Sequence, residues 1–359
     1  MTSINIKQEM ESLLSITAQE GHSDLHLSVG RYPTVRMDGR LIPLTNKEML
    51  TPQKTKELVD AFLTDEQREK FRNNKELDIS YDFKGEARFR INVFYQRGFV
   101  SAAFRLISSK IRTLEELELP NLVYNFTKPS QGFVLVVGPS GHGKSTTLAA
   151  LIDRINHQKY KHIITIEDPI EYIYTQDRCI INQREVHTDT DSFNNALRSI
   201  FREDADVVLV GEMRDPETIS TAITAAETGH LVFATLHTNS ASQTIERIID
   251  SFAAGQQNQI RTQLAGNLLG IVSQRLIPKI EGGRIPAIEI MIANSAVRNL
   301  IRENKTHQLD LVINTSADEG MISLNSSLAT LVKDGKISME NAELYSSNIN
   351  DLKMMMQRR

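Results

Sequence analysis

Residues 133–152, FVLVVGPSGHGKSTTLAALI, leave few folds open. The apolar run FVLVV, a glycine-rich turn and an apolar-faced helical stretch follow one another without a break. The turn fits the pattern G-x-x-x-x-G-K-[ST] at Gly138, Gly143, Lys144 and Ser145. Three more such runs follow, HIITI, DVVLV and LVFATL, with helical patterns between them. Strands apolar on both faces cannot border water, so they belong to a parallel sheet covered by helices on each side. The predicted class is α/β with a mainly parallel sheet.

The turn has its own chemistry. Its glycines let backbone N–H groups wrap around phosphate oxygens, and the following helix adds its positive end. The predicted cradle comprises Ser140, Gly141, His142, Gly143, Lys144, Ser145 and Thr146. Lys144 is expected to bridge the β- and γ-phosphates of ATP, and the Ser145 hydroxyl to ligate Mg²⁺. A chance glycine-rich turn containing Lys-Ser is the bland alternative, and the strand before and helix after argue against it. His142 is chemically unusual in such a loop, and its ring is expected to face solvent.

A triphosphatase of this kind is expected to carry a metal-ordering Asp at the end of a second strand. In VVLVGEMRDPET, Val207–Thr218, that place holds Gly211, with Glu212 one step on. Two further strands end in polar residues where ligands of open parallel sheets collect. HIITIEDPIEY ends with Glu167 and Asp168, and LVFATLHTNS with Thr235, His237 and Thr238. Metal and water chemistry is therefore expected to be shared among Ser145, Glu167 and Glu212, with Glu212 able to reach and orient an attacking water.

The remaining chain reads in blocks. SDLHLSVGRYPTVRMDGRLIPL alternates as short strands around an Asp38-Gly39 hairpin signal, and ARFRINVFYQRGFVSAAFRLI alternates around a Gly98 turn. The predicted layout is a small α+β domain over 1–113, a connection over 114–132 and the core over 133–359, mostly helical from about 253. SFNNALRSIFRE places Phe193, Ala196, Leu197, Ile200 and Phe201 on one helical stripe. Among 359 residues, 40% are hydrophobic and 24% charged, the make-up of an ordinary globular protein. A single cysteine, Cys179, excludes a disulfide framework and a multi-cysteine zinc site, and fits a cytoplasmic location. The N-terminus lacks a signal-peptide pattern, and no apolar run approaches the roughly 18–20 residues needed to cross a bilayer. With a net charge of −4 and no basic segment, nucleic acid is not an expected partner.

Five motifs in order, GPSGHGKST, TIEDPIE, VVLVGEMRDPET, GHLVFATLHTNS and AVRNLIRE, resemble those of the secretion-motor ATPases, most closely the type that retracts type IV pili. The resemblance spans nearly the whole chain. Its departures are Ser140 and His142, where the family motif usually reads GPTGSGKST. It implies a PAS-like N-terminal domain before a RecA-like core. It makes Glu212 the catalytic glutamate, has Glu167 and Asp168 position Mg²⁺ and water, and has His237 sense the γ-phosphate. It further implies a homohexamer, with ATP between an N-terminal domain and a core. Arg90 and Arg105 of the N-terminal hairpin match phosphate-contacting positions, and so do Arg198 and Arg202 before the Glu212 strand. The implied partners are an inner-membrane pilus platform protein and a paralogous retraction ATPase. In AVRNLIRENKTHQ, Val297, Leu300 and Ile301 form the apolar face, and Arg298, Arg302 and Glu303 an exposed polar face expected to couple hydrolysis to the pilus.

Rival readings stay open. An accessory retraction ATPase is separated only weakly. Extension and type II secretion ATPases usually add an N-terminal domain and a four-cysteine zinc module, which one cysteine cannot supply. A non-hydrolysing regulator would not need the acids, and a DNA translocase would be expected to show a basic lining.

Overall fold

The computed structural model describes residues 3–37, 40–85, 87–107 and 110–357. Its contacts divide the chain into two units, Met1–Lys110 with Glu171–Ile173, and Ile111–Ile170 with Tyr174–Arg359.

In the first unit, the described strands are β1 (Asp24–Leu27), β2 (Thr34–Met37), β3 (Arg40–Pro43), β4 (Glu76–Phe83), β5 (Ala87–Gln96) and β6 (Phe99–Ile107). They form an antiparallel sheet in the order β3-β2-β1-β6-β5-β4. Helices α1 (Ser3–Gln19), α2 (Pro52–Asp60) and α3 (Asp65–Asn74) accompany it. Alternation does the sorting: Phe89, Ile91 and Val93 of β5 are buried with Leu13, Leu25 and Phe104, and Arg90 between them is exposed. The β5–β6 hairpin closes on Arg97 and Gly98, with φ of 53° and 82°, the left-handed pair of a two-residue turn. The Asp38-Gly39 turn signal lies outside the described residues, although Met37 and Arg40 on either side pair as a hairpin requires.

In the second unit, β7 (Gly132–Val137), β8 (His162–Glu167), β9 (Ile180–Glu185), β10 (Val207–Val210), β11 (Leu231–Leu236), β12 (Leu268–Pro278) and β13 (Arg284–Ile292) form one sheet, in the order β13-β12-β7-β11-β10-β8-β9. Its pairs are parallel except β12–β13. Every residue of β7, β10 and β11 is buried, as their almost wholly apolar sequences require. Between and after the strands come α4 (Lys144–Gln158), α5 (Phe193–Ile200), α6 (Pro216–Glu227), α7 (Ala241–Asp250) and α8 (Ala254–Asn267). The Asp215 side chain caps α6 by accepting from Thr218 N, and Pro216 takes the first turn.

One expectation is corrected here, and two gain detail. Past residue 253 the chain is mostly helical, as expected, but β12 and β13 intervene and extend the main sheet. The helices after them, α9 (Ser295–Arg302), α10 (Leu309–Thr315), α11 (Leu324–Lys333), α12 (Met339–Tyr345) and α13 (Ile349–Gln357), include three that pack with this hairpin, in a cluster of Ile277, Ile285, Leu328, Ile337 and Leu352. The stripe of α5 buries Ala196, Leu197 and Ile200, but the helix ends there and leaves Phe201 exposed, edge-on to His230. Residues 114–132, read as a connection, contain a 3₁₀ helix, Asn121–Thr127, whose Phe126 ring fills the space beside Gly270.

Candidate nucleotide site

The second unit assembles the predicted site at the C-terminal ends of its central strands. β7 runs into the Gly138–Gly143 turn, and Lys144 opens α4. Gly143 is left-handed, with φ of 85°, a conformation glycine takes without strain. Lys144 is buried, and its Nζ donates to the carbonyls of Gly138 at 2.9 Å and Pro139 at 3.0 Å. The same ammonium lies 3.3 Å from His237 Nδ1, and His237 Nε2 lies 3.2 Å from Glu212 Oε1. An ammonium only donates, so Nδ1 accepts and Nε2–H points to the carboxylate. Arg214 Nη2 donates to the other oxygen, Glu212 Oε2, at 2.7 Å. Burial, the largest single influence on the Glu212 pKa, acts to raise it, and the Arg214 hydrogen bond opposes it. Together with the charges of Arg214, His237 and Lys144, that bond holds the carboxyl below the usual range.

The glycine at the end of β10 has a packing reason. A Cβ on Gly211 would lie 3.2 Å from the Ile166 carbonyl and 3.3 Å from Glu167 Cα. A carboxylate side chain there would press on the end of β8. The acids stand instead on either side of this contact. Glu167 is buried and accepts from the Thr165 hydroxyl at 2.7 Å, and Glu212 follows on the next residue. Thr235 links β11 to this strand end by donating to the Gly211 carbonyl. Asp168 is exposed.

Among the described residues, no three His, Cys, Asp or Glu side chains converge as metal ligands. The site's donors are hard oxygens, the Ser145 hydroxyl and the strand-end carboxylates of Glu167, Asp168 and Glu212. Such a set fits Mg²⁺, which binds through one or two protein oxygens and completes its shell with phosphates and water.

His142 departs from expectation. Its ring is only partly exposed, and Nδ1 accepts from Leu276 N at 2.9 Å on β12. Burial lowers its pKa, and the charges of Arg275, Arg284 and Lys144 add to the effect. Beside the loop lies a cavity of about 290 Å³, whose lining includes Gly143, Thr146, Arg112, Lys279 and Arg284. Sequence reasoning missed these three cations, along with Gln274, because nothing local marks them.

The predicted arginines fall into two groups. Arg198 on α5 is exposed and pairs with Glu217 at the start of α6, and Arg202 lies exposed in the turn after α5. Neither is hydrogen-bonded to the phosphate loop. Arg90 and Arg105 belong to the first unit, directly opposite each other on β5 and β6 and both exposed. Arg105 Nε donates to Asp24 Oδ1 at 3.0 Å.

A mainly parallel sheet with a phosphate loop after one central strand, and acids and a histidine after its neighbours, defines the P-loop nucleotide-binding class. The family described as type II/IV secretion system proteins matches residues 84–283. The chain is 48% identical over 339 residues to the type IV pilus retractation ATPase PilT of Pseudomonas aeruginosa, covering 93% of this chain and 97% of that one. It is 46% identical over 317 residues to a twitching motility protein of Neisseria gonorrhoeae, covering 88% and 84%. A crystal structure of the pilus retraction motor PilT with bound ADP superposes with a TM-score of 0.90 at 47% identity, covering 96% of this chain and 98% of that one. The chain belongs to the type II/IV secretion system protein family. Among the described residues, no helix is long and apolar enough to cross a membrane.

Proposed function

We infer that this chain is an ATP-hydrolysing motor that powers type IV pilus retraction and hence twitching motility. The observation that carries the reading is the chain of contacts from Lys144 through His237 to Glu212, in a protein 48% identical to a pilus retraction ATPase over nearly its whole length.

In this reading the phosphate loop, Ser140 to Thr146, binds ATP, and Ser145 with Glu167, Asp168 and Glu212 would hold Mg²⁺. The ion would offset phosphate charge. Glu212, held ionised by its cationic neighbours, orients the attacking water and takes its proton. His237 reports the γ-phosphate. When phosphate draws the Lys144 ammonium away, Nδ1 is released, and the His237–Glu212 contact is free to rearrange. The pair Arg90 and Arg105 also supports the reading. Like charges directly opposite on a sheet are destabilising, and a phosphate between them would reverse the sign. Their site would lie in a homohexamer, each hairpin serving ATP bound to a core. Arg198 and Arg202 would approach the phosphates from the helix and turn before the Glu212 strand. The motor acts on the cytoplasmic face of an inner-membrane platform protein, alongside a paralogous retraction ATPase.

Complementation tests this. In a piliated strain lacking its own retraction ATPase, the wild-type chain should restore twitching and remove excess surface pili, and Lys144→Ala should do neither. Restored twitching by Lys144→Ala would sink the reading.

A further inference from the structure

β12 loses its parallel neighbour where β7 ends, the last pair being Ser273 with Val137. Its next residues turn to the phosphate loop instead. Gln274, only 3% exposed, accepts from the Thr147 hydroxyl at 2.7 Å through Oε1 and donates from Nε2 to the His142 carbonyl at 2.9 Å. Two residues on, Leu276 N–H donates to His142 Nδ1 at 2.9 Å, an acceptor that replaces the missing strand. The seating is tight. A Cβ on Gly138 would lie 2.3 Å from the Gln274 carbonyl oxygen, and one on Gly143 would lie 2.7 Å from Gln274 Nε2. Between these contacts, Arg275 Nη1 donates to the Tyr345 carbonyl at 3.1 Å, at the end of α12.

We propose that His142 and Gln274 are positioning residues that latch the phosphate loop onto β12, so that the strand bearing the C-terminal helices sets the shape of the nucleotide cradle. The inference rests on the reading of this loop as the ATP site. Its physical basis is preorganisation. A loop that must present several N–H groups to one anion loses affinity by whatever ordering is left until binding. Gln274 satisfies its amide on both sides inside the protein, and His142 closes the turn at its outer end. The chemistry also fixes a protonation state, because Nδ1 accepts from Leu276 only while it carries no proton. The charged groups facing the ring are Arg275, Arg284 and Lys144, all cations, and they act with burial to keep it neutral. The folded-state pKa is therefore depressed. The latch holds above the ordinary histidine value of about 6.5 and opens as pH falls through the lowered one.

The test uses the full-length chain, a fluorescent ADP analogue as probe, and thermal unfolding at each pH. At pH 8, His142→Leu, which has no acceptor, should bind the probe about tenfold more weakly, the scale of one lost hydrogen bond to a buried donor. Gln274→Leu should do the same. His142→Asn keeps an acceptor at the same position and does not titrate. It should bind more tightly than His142→Leu at pH 8 and show a flatter affinity profile than wild type from pH 8 to 5.5. Unchanged affinity in His142→Leu would overturn the latch, as would coincident pH profiles for wild type and His142→Asn. If His142→Leu fails to fold, the wild-type and His142→Asn profiles still decide. If wild type binds no nucleotide at all, the site reading falls with the latch. If wild type binds normally and only the variants disobey, the latch alone falls.

Discussion

Lys144 Nζ lies 3.3 Å from His237 Nδ1, which ties the lysine of the glycine-rich loop to the residue that touches Glu212. The link predicts a specific defect. His237→Ala should leave nucleotide affinity within a few-fold of wild type while slowing turnover about 10–100-fold, because it removes the group that aligns the base. Stopped-flow binding and steady-state phosphate release on the same preparation separate the two effects. Equal losses in affinity and turnover would make His237 a binding residue only.

Arg298 behaves differently from its expected role as an exposed coupling residue. Its guanidinium donates to the carbonyls of Ala265, Gly266 and Leu268 at the end of α8 and to that of Ala293. It therefore caps a helix C-terminus, where unpaired carbonyls and the dipole favour a cation. Arg298→Ala should lower stability by about 2–3 kcal/mol, the scale of charge-assisted bonds lost from partly buried acceptors, and show as a lower thermal midpoint. Arg302 is exposed and bonds only its neighbour Asn299 among the described contacts. Arg302→Ala should keep stability and ATP turnover but reduce twitching. A fall in turnover matching that in motility would move this surface from coupling to catalysis.

This correction shows where sequence reasoning reaches and where it stops. The parallel strands, the phosphate loop, and Glu167, Glu212 and His237 were legible because each signal is local: an apolar run, then chemistry at its end. Gly211 was visible as an oddity, but its reason, the approach of β10 to the Glu167 backbone, appears only when β8 and β10 lie side by side. β12 and β13 escaped notice because SQRLIPKIEGGRIP mixes polar residues into its strands. Gln274 meets Thr147 across 127 residues of chain. Amphipathic spacing placed Arg298 on a polar face, and spacing carries no information on what packs against that face.

Glu289 on β13 offers a pH test independent of catalysis. Its Oε1 accepts from Ala241 N at 2.7 Å, at the start of the helix that follows the His237 loop. Burial pushes its pKa up to about 7; the charge of Asp310 adds to this, and the Ala241 N–H and Arg275 oppose it. The folded state thus binds more protons than the unfolded chain between about pH 4.5 and 7, so this group's contribution to stability falls as pH rises through that window and is flat above it. Glu289→Gln keeps the acceptor and removes the titration. The thermal midpoint of wild type relative to the variant should decline from pH 5 to pH 7.5. A difference independent of pH would return Glu289 to ordinary ionisation.

The most direct test of the motor reading is Mg²⁺-dependent phosphate release by the full-length chain, wild type against Glu212→Gln, with ATP affinity measured alongside. The amide keeps the size of the side chain and its contacts with Arg214 and His237 in reach, but it cannot take a proton from water. The account predicts that ATP affinity stays within a few-fold of wild type while turnover falls on the order of a hundredfold or more. Full turnover in Glu212→Gln would contradict it and return the catalytic work to Glu167.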